Sequence, residues 1–175
     1  MGMPKALVRG EGDIPWVVSS SRTLRAGGCA EIVVVIGAEA TRVRSVLASE
    51  PVTIVEAADW DTGMGASLRA GLVALSTVDA DAALIHLVDL PDVGADVVAR
   101  FIDLAAPAAL ARAAFDGRPG HPVLIGRDHW SAVADGITPD RGAQRFLTSR
   151  DVISIDCSDL ATGVDVDSRG PMLAG

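Results

Sequence analysis

The longest apolar run in the chain, Ala82-Ala83-Leu84-Ile85-His86-Leu87-Val88, stops abruptly at Asp89-Leu90-Pro91-Asp92. It constrains the fold more than any other stretch. A run without polar alternation reads as a strand buried on both faces, the kind found inside a parallel sheet. In open α/β sheets, ligands sit just beyond the carboxyl ends of such strands. Asp89 therefore stands where a metal ion or a polar substrate would be held. An ordinary turn acid is the competing reading, because Asp-x-Pro is also good turn chemistry.

The segments around this run alternate regularly. Residues 15–25 read as a helix with Pro15 in its first turn and Gly27-Gly28 as its stop. Residues 31–36 form a β-branched strand closed by Gly37. The spacing of Val43, Val46 and Leu47 predicts a short amphipathic helix over 41–48. A second strand at 52–55 and a helix at 66–75, with Leu68, Leu72 and Leu75 on one side, lead into the run that ends at Asp89. Beyond it come a helix at 94–104, a strand pair at 109–115 and 121–125 around Asp116-Gly117-Arg118-Pro119-Gly120, helices at 128–134 and 141–149, and a strand at 152–156. Such alternation predicts an α/β fold: a three-layer αβα sandwich with a mostly parallel, Rossmann-like sheet, in one domain spanning residues 1–175.

Composition narrows the function classes. The apolar fraction of 49% is ample for a core, and no uncharged stretch is long enough to span a membrane. The first residues lack the apolar centre of a signal peptide, so a cytoplasmic location is expected. A net charge of −8 argues against nucleic acid as a partner. It leaves room for a small anionic ligand held by a few concentrated cations. Fourteen of the fifteen basic residues are arginine, and Lys5 is the sole lysine. Cys29 and Cys157 accompany no Cys/His cluster and read as reduced thiols.

Several short motifs carry candidate chemistry. The segment 61–72 contains Gly63-Met64-Gly65-Ala66-Ser67-Leu68-Arg69 at a strand-to-helix junction, where backbone N–H groups at Gly63, Gly65 and Ser67 can hold an anion and Arg69 can add charge. His121, between Gly120 and Pro122, is either a ligand-side residue at a strand start or a turn histidine. His86, among aliphatic residues, reads as a satisfied core histidine. Asp140 before a helix is an N-cap candidate, with Arg141 available for a phosphate. Asp165 and Asp167, taken alone, read as an acidic loop near a terminus.

Five segments in order, Met3-Pro4-Lys5-Ala6-Leu7, residues 63–72, Val88-Asp89-Leu90-Pro91-Asp92, Gly120-His121-Pro122-Val123-Leu124 and Asp165-Val166-Asp167-Ser168, resemble the MobA-like nucleotidyltransferases. That group includes the molybdenum-cofactor cytidylyl- and guanylyltransferases, and the Gly-Met-Gly-x-Ser-Leu and Gly-His-Pro segments look closer to the cytidylyl branch. Pro4-Lys5-Ala6-Leu7-Val8, Ala58-Asp59-Trp60 and the Asp-Gly-Arg-Pro turn are also similar to an actinobacterial branch named for nicotine blue oxidoreductase, which uses NAD(P)H.

The resemblance implies a nucleotide-diphospho-sugar transferase type of fold. It implies Mg²⁺ held by Asp89 and Asp167, Lys5 on the triphosphate, and an NTP, CTP in preference to GTP, as substrate. A nucleoside monophosphate would pass to a phosphorylated small molecule such as molybdopterin, with a molybdoenzyme or a second copy of the chain as partner. The alternatives are an NAD(P)H-dependent oxidoreductase and an inactive binding module.

One part of the family pattern is missing. Its members open with a strand and a glycine-rich loop before the Pro-Lys, whereas here the sequence begins Met1-Gly2-Met3-Pro4-Lys5. The expectation is that this strand belongs upstream of Met1 or has been removed; the remaining possibility is a remnant that no longer binds nucleotide. Without it, two neighbouring strands should face a gap, each unpaired buried backbone group costing about 1–3 kcal/mol.

Overall fold

The computed structural model describes residues 4–138 and 142–166; Asp140, Arg141 and Asp167, all candidates above, lie outside the described residues. The first described residues form a single 3-10 turn, Lys5–Leu7, rather than a strand. Six strands and six α-helices follow among the described residues. They are α1 (Trp16–Ala26), β1 (Val33–Ile36), α2 (Ala40–Leu47), β2 (Thr53–Glu56), α3 (Met64–Leu75) and β3 (Ala82–Ile85), then α4 (Ala95–Ile102), β4 (Leu110–Phe115), β5 (Arg118–Gly126), α5 (Trp130–Gly136), α6 (Gln144–Thr148) and β6 (Ile153–Asp156).

The strands form two separate sheets. β1 and β2 pair in parallel, and the second sheet has the order β3-β5-β4-β6. In that sheet β4 and β6 are parallel, while β5 runs antiparallel to both β3 and β4. Helices cover both faces, giving the expected α/β sandwich of three layers. Leu72 of α3, Trp130 and Val133 of α5 and Leu147 of α6 pack with Val123 and Ile125 on one face. Val97 and Phe101 of α4 pack with Ala111, Ala113 and Leu124 on the other. A third cluster joins Val17 and Val18 of α1, Val43 and Leu47 of α2, Ile36 of β1 and Leu7.

The alternation of these clusters follows from strand geometry, in which successive side chains face opposite sides. The β4–β5 hairpin closes on Asp116 and Gly117, both with positive φ (50° and 75°), as a two-residue turn matched to strand twist requires. β5 therefore begins at Arg118, three residues earlier than the sequence predicts.

Two expectations need correction. The run 82–88 is a strand only over Ala82–Ile85, and Ala82, Leu84 and Ile85 are half-buried rather than sealed on both sides. The physical reason is lateral. β3 pairs with β5 along one edge, and its other edge faces a groove of about 670 Å³ across which β1 lies.

Alternation identifies the groups exposed there. Ile32 and Ile36 give their carbonyls to Thr53 and Ala57, so Val33 and Val35 direct theirs away from β2. Asp81 accepts from Arg127 across to β5, so Ala82 and Leu84 point the other way. The anticipated gap between two strands is present, with an apolar lining.

Candidate active site beside Asp89

Four residues beyond the end of β3, Asp89 meets the turn that carries Lys5. Lys5 Nζ donates to Asp89 Oδ2 at 2.6 Å, with side-chain exposures of 33% and 15%. The pair is brought together by packing: Leu7 anchors the 3-10 turn in the α1–α2 cluster, and Val88 packs against the same cluster. A second approach comes from the far end of the chain. Thr162 donates through its backbone N–H and its hydroxyl to Asp92 Oδ2, and Val166 N–H donates to the Asp89 carbonyl at 2.9 Å. The C-terminal segment thus returns to Asp89 as far as the last described residue. Asp165 on it is exposed.

The groove beside this pair is lined by Lys5, Ser67, His86, Arg112 and His121 together with apolar residues of α1, α3, β1 and β3. Of the sequence candidates, Lys5, Asp89, Ser67 and His121 therefore share one region. Gly63 and Gly65 open α3 at its edge, and Gly63 has a φ of 133° that favours glycine. Gly65 is buried, and a Cβ there would meet the Thr138 carbonyl oxygen at 2.6 Å and Ile137 Cγ2 at 2.5 Å. Close packing of α3 on the 137–138 segment thus explains this glycine without a ligand. Arg69 points elsewhere: its Nε donates to the Ala134 carbonyl at 3.4 Å, away from the groove lining.

His121 is inside β5 rather than at its start. The β4–β5 ladder is irregular between Arg112 and Ala114, opposite this part of β5, and the His121–Pro122 peptide is cis. Burial holds His121 below the usual histidine range, Arg112 beside it adds to this, and Asp89 partly offsets both. His86 is pushed down to about 4, by burial first and by His121 second, against a smaller opposing effect of Asp89.

The reading of His86 as a satisfied core residue fails. Its Nδ1 is buried without a hydrogen-bond partner, and so is Nε of Arg112. Arg112 went unnoticed in the sequence, although a lone arginine within Leu110-Ala111-Arg112-Ala113-Ala114 is itself a signal. Among the described residues, no group of three or more His, Cys, Asp or Glu side chains could hold a metal, and Asp89 beside the groove is a single half-buried carboxylate. That suits a cation bound by one or two carboxylates and completed by phosphate oxygens and water, as Mg²⁺ commonly is.

Comparison with known proteins identifies the family. Residues 1–153 match the MobA-like NTP transferase domain, and the chain belongs to that family. A curated relative, nicotine blue oxidoreductase of Paenarthrobacter nicotinovorans, is 37% identical over 174 residues, covering 94% of this chain and 84% of the relative. Among solved structures, Rv0371c of Mycobacterium tuberculosis superimposes with a TM-score of 0.78 at 22% identity, over 94% of this chain and 85% of that one. Its complex with manganese gives 0.75 at 23% identity, over 93% and 86%. A nucleotidyl transferase from Methanothermobacter thermautotroptrophicus gives 0.73 at 20% identity, over 86% and 74%. At these identities the solved structures speak for the fold alone.

Proposed function

We propose that the chain is a nucleotidyltransferase that uses a divalent cation, Mg²⁺, and an NTP, CTP in preference to GTP, to modify a phosphorylated small molecule such as molybdopterin. The observation that carries this reading is the Lys5–Asp89 pair at 2.6 Å, placed at the carboxyl end of β3 in a member of an NTP transferase family. Asp89 would hold the cation. Asp167 is proposed as its second carboxylate because the residue before it, Val166, is hydrogen bonded to Asp89. When bound, the cation would neutralise triphosphate charge and orient it.

The chain's own groups do the rest. Lys5, already 2.6 Å from Asp89, is positioned to turn from the carboxylate to the β- and γ-phosphate oxygens. An acceptor oxygen attacks the α-phosphorus, the bond from that phosphorus to the bridging oxygen breaks, and pyrophosphate leaves with the electron pair. Met64 and Ser67 at the start of α3 line the same groove, and backbone N–H groups at Gly63, Gly65 and Ser67 are proposed to hold an anion there. His121 and Arg141 are proposed as acceptor-side residues, and a second copy of the chain or a molybdoenzyme as the macromolecular partner.

The test is pyrophosphate release from each NTP with molybdopterin as acceptor, with and without Mg²⁺. CTP-dependent, Mg²⁺-dependent release is expected, falling at least 100-fold in Asp89→Ala, the scale typical of removing a transition-state charge contact. Failure of the protein to bind any NTP with Mg²⁺ by calorimetry would end this reading.

A second reading is favoured by the 37% identity to nicotine blue oxidoreductase: an NAD(P)H-dependent reductase on the same scaffold. Oxidation of NADPH by a quinoid dye, independent of divalent cation and retained in Asp167→Ala, would select it.

A further inference from the structure

Arg112 occupies the centre of an apolar strand. Leu110 packs on the α3–α5–α6 face of the sheet, and Ala111 and Ala113 pack on the α4 face. Alternation therefore turns Arg112 toward the α3–α6 side, where it lines the groove with His121 and His86. The register places Arg112 opposite Val123, two residues along β5 from His121, while Ile85, next to His86, lies opposite Val123 from the other side.

The three side chains thus line one groove, Arg112 from β4, His121 from β5 and His86 from the residue that follows β3. Arg112 Nε and His86 Nδ1 are each buried with no partner. Among the described residues no carboxylate pairs with Arg112, whereas the surface arginines Arg22, Arg44 and Arg100 each hold one. Arg112 is half-buried with its Nε sealed, and a charged donor sealed without a counter-charge is destabilising unless a ligand supplies the charge.

We infer that Arg112, His86 and His121 form a binding site for the phosphate monoester of the acceptor substrate. Three donors approaching from three strands match a tetrahedral oxyanion with three terminal oxygens better than a planar carboxylate with two. Lys5, which pairs with Asp89, lines the same groove, so a phosphate held there would place the acceptor next to the cation and triphosphate site. This inference rests on the nucleotidyl-transfer reading only for naming which substrate carries the phosphate. Burial lowers the proton affinity of both rings, with Arg112 adding to the effect at His121 and His121 adding to it at His86.

The test uses inorganic phosphate as the probe and the whole chain. Calorimetric titration is expected to show binding that weakens roughly ten- to hundredfold in Arg112→Met, the loss typical of a charged hydrogen bond. Arg112→Lys, which keeps the charge but loses the planar fork, should fall between. Without phosphate, Arg112→Met should melt higher than the parent, since a half-buried charge with a sealed, unpartnered Nε has gone.

The ring resonances of His86 and His121 should move on phosphate addition to the parent protein. His129, whose ring bonds to the Ala108 carbonyl outside the groove, should not, and it serves as the internal control. Equal phosphate affinity in parent and Arg112→Met, or rings that stay still while phosphate binds, overturns the inference. If the methionine variant does not fold, the histidine resonances of the parent decide. Titrating the parent with CTP and Mg²⁺ separates the two readings, because phosphate can bind at Arg112 whether or not nucleotide binds at Lys5 and Asp89.

Discussion

At the scale of single residues, the histidines give the sharpest expectations. His86 has a folded-state value near 4 against an ordinary 6.5, so the unfolded chain binds a proton there more readily than the folded one. Stability from this group is complete above about pH 6.5 and is lost as pH falls toward about 4, by about 2–3 kcal/mol at pH 4.5. Urea unfolding at pH 7 and pH 4.5 should therefore show a smaller acid loss in His86→Leu than in the parent. Equal losses would mean that His86 is not held neutral by burial.

At Lys5 the expectation concerns the cation. Lys5 neutralises Asp89 directly, so Lys5→Met should weaken nucleotide binding while leaving Asp89 more available to Mn²⁺, read by paramagnetic relaxation of water. Asp89 was legible in the sequence because a strand end followed by Leu-Pro marks a place. Arg112 went unnoticed although its charge is out of pattern, and the missing partner of its Nε is a property of the packed strands rather than of the local sequence.

At the scale of elements, most helices and strands follow from local pattern. The alternation in β4, the spacing in α2 and α4 and the Asp-Gly turn between β4 and β5 each place the element within a few residues of where it is found. The start of α3 is different. Its Gly-x-Gly reads from sequence as an anion-binding loop, yet Gly65 is explained by backbone contact with Thr138. Gly65→Ala should destabilise the fold by about 1–3 kcal/mol, because the carbonyl it meets belongs to backbone and cannot rotate aside. Denaturant midpoints check this, and an unchanged midpoint would return Gly65 to the list of ligand-binding residues. The end of β3 is also a tertiary matter. The apolar pattern continues to Val88, but pairing with β5 stops at Ile85↔Val123.

At the scale of the whole molecule, the open groove between β1 and β3 dominates. Val33, Val35, Ala82 and Leu84 direct backbone groups into it, while Val34, Ile36, Ala83 and Ile85 direct theirs to a paired neighbour. Hydrogen exchange should alternate accordingly, with the amides of Val35 and Leu84 exchanging faster than those of Ile36 and Ile85. Uniform protection along both strands would show that something else fills the space. Among the described residues no helix is long and apolar enough to cross a membrane.

The sequence by itself determined the layered α/β character, the order of the elements and the location of the Asp89 turn, because each depends on patterns within a dozen neighbouring residues. Its likeness to MobA-like transferases also announced the gap between two strands. Only the tertiary structure decided that Lys5 pairs with the Asp89 carboxylate, that Val166 reaches the Asp89 backbone carbonyl, and that Arg112, His86 and His121 line one groove. Those facts join residues separated by tens of positions, and no local periodicity encodes which buried polar atom will find a partner.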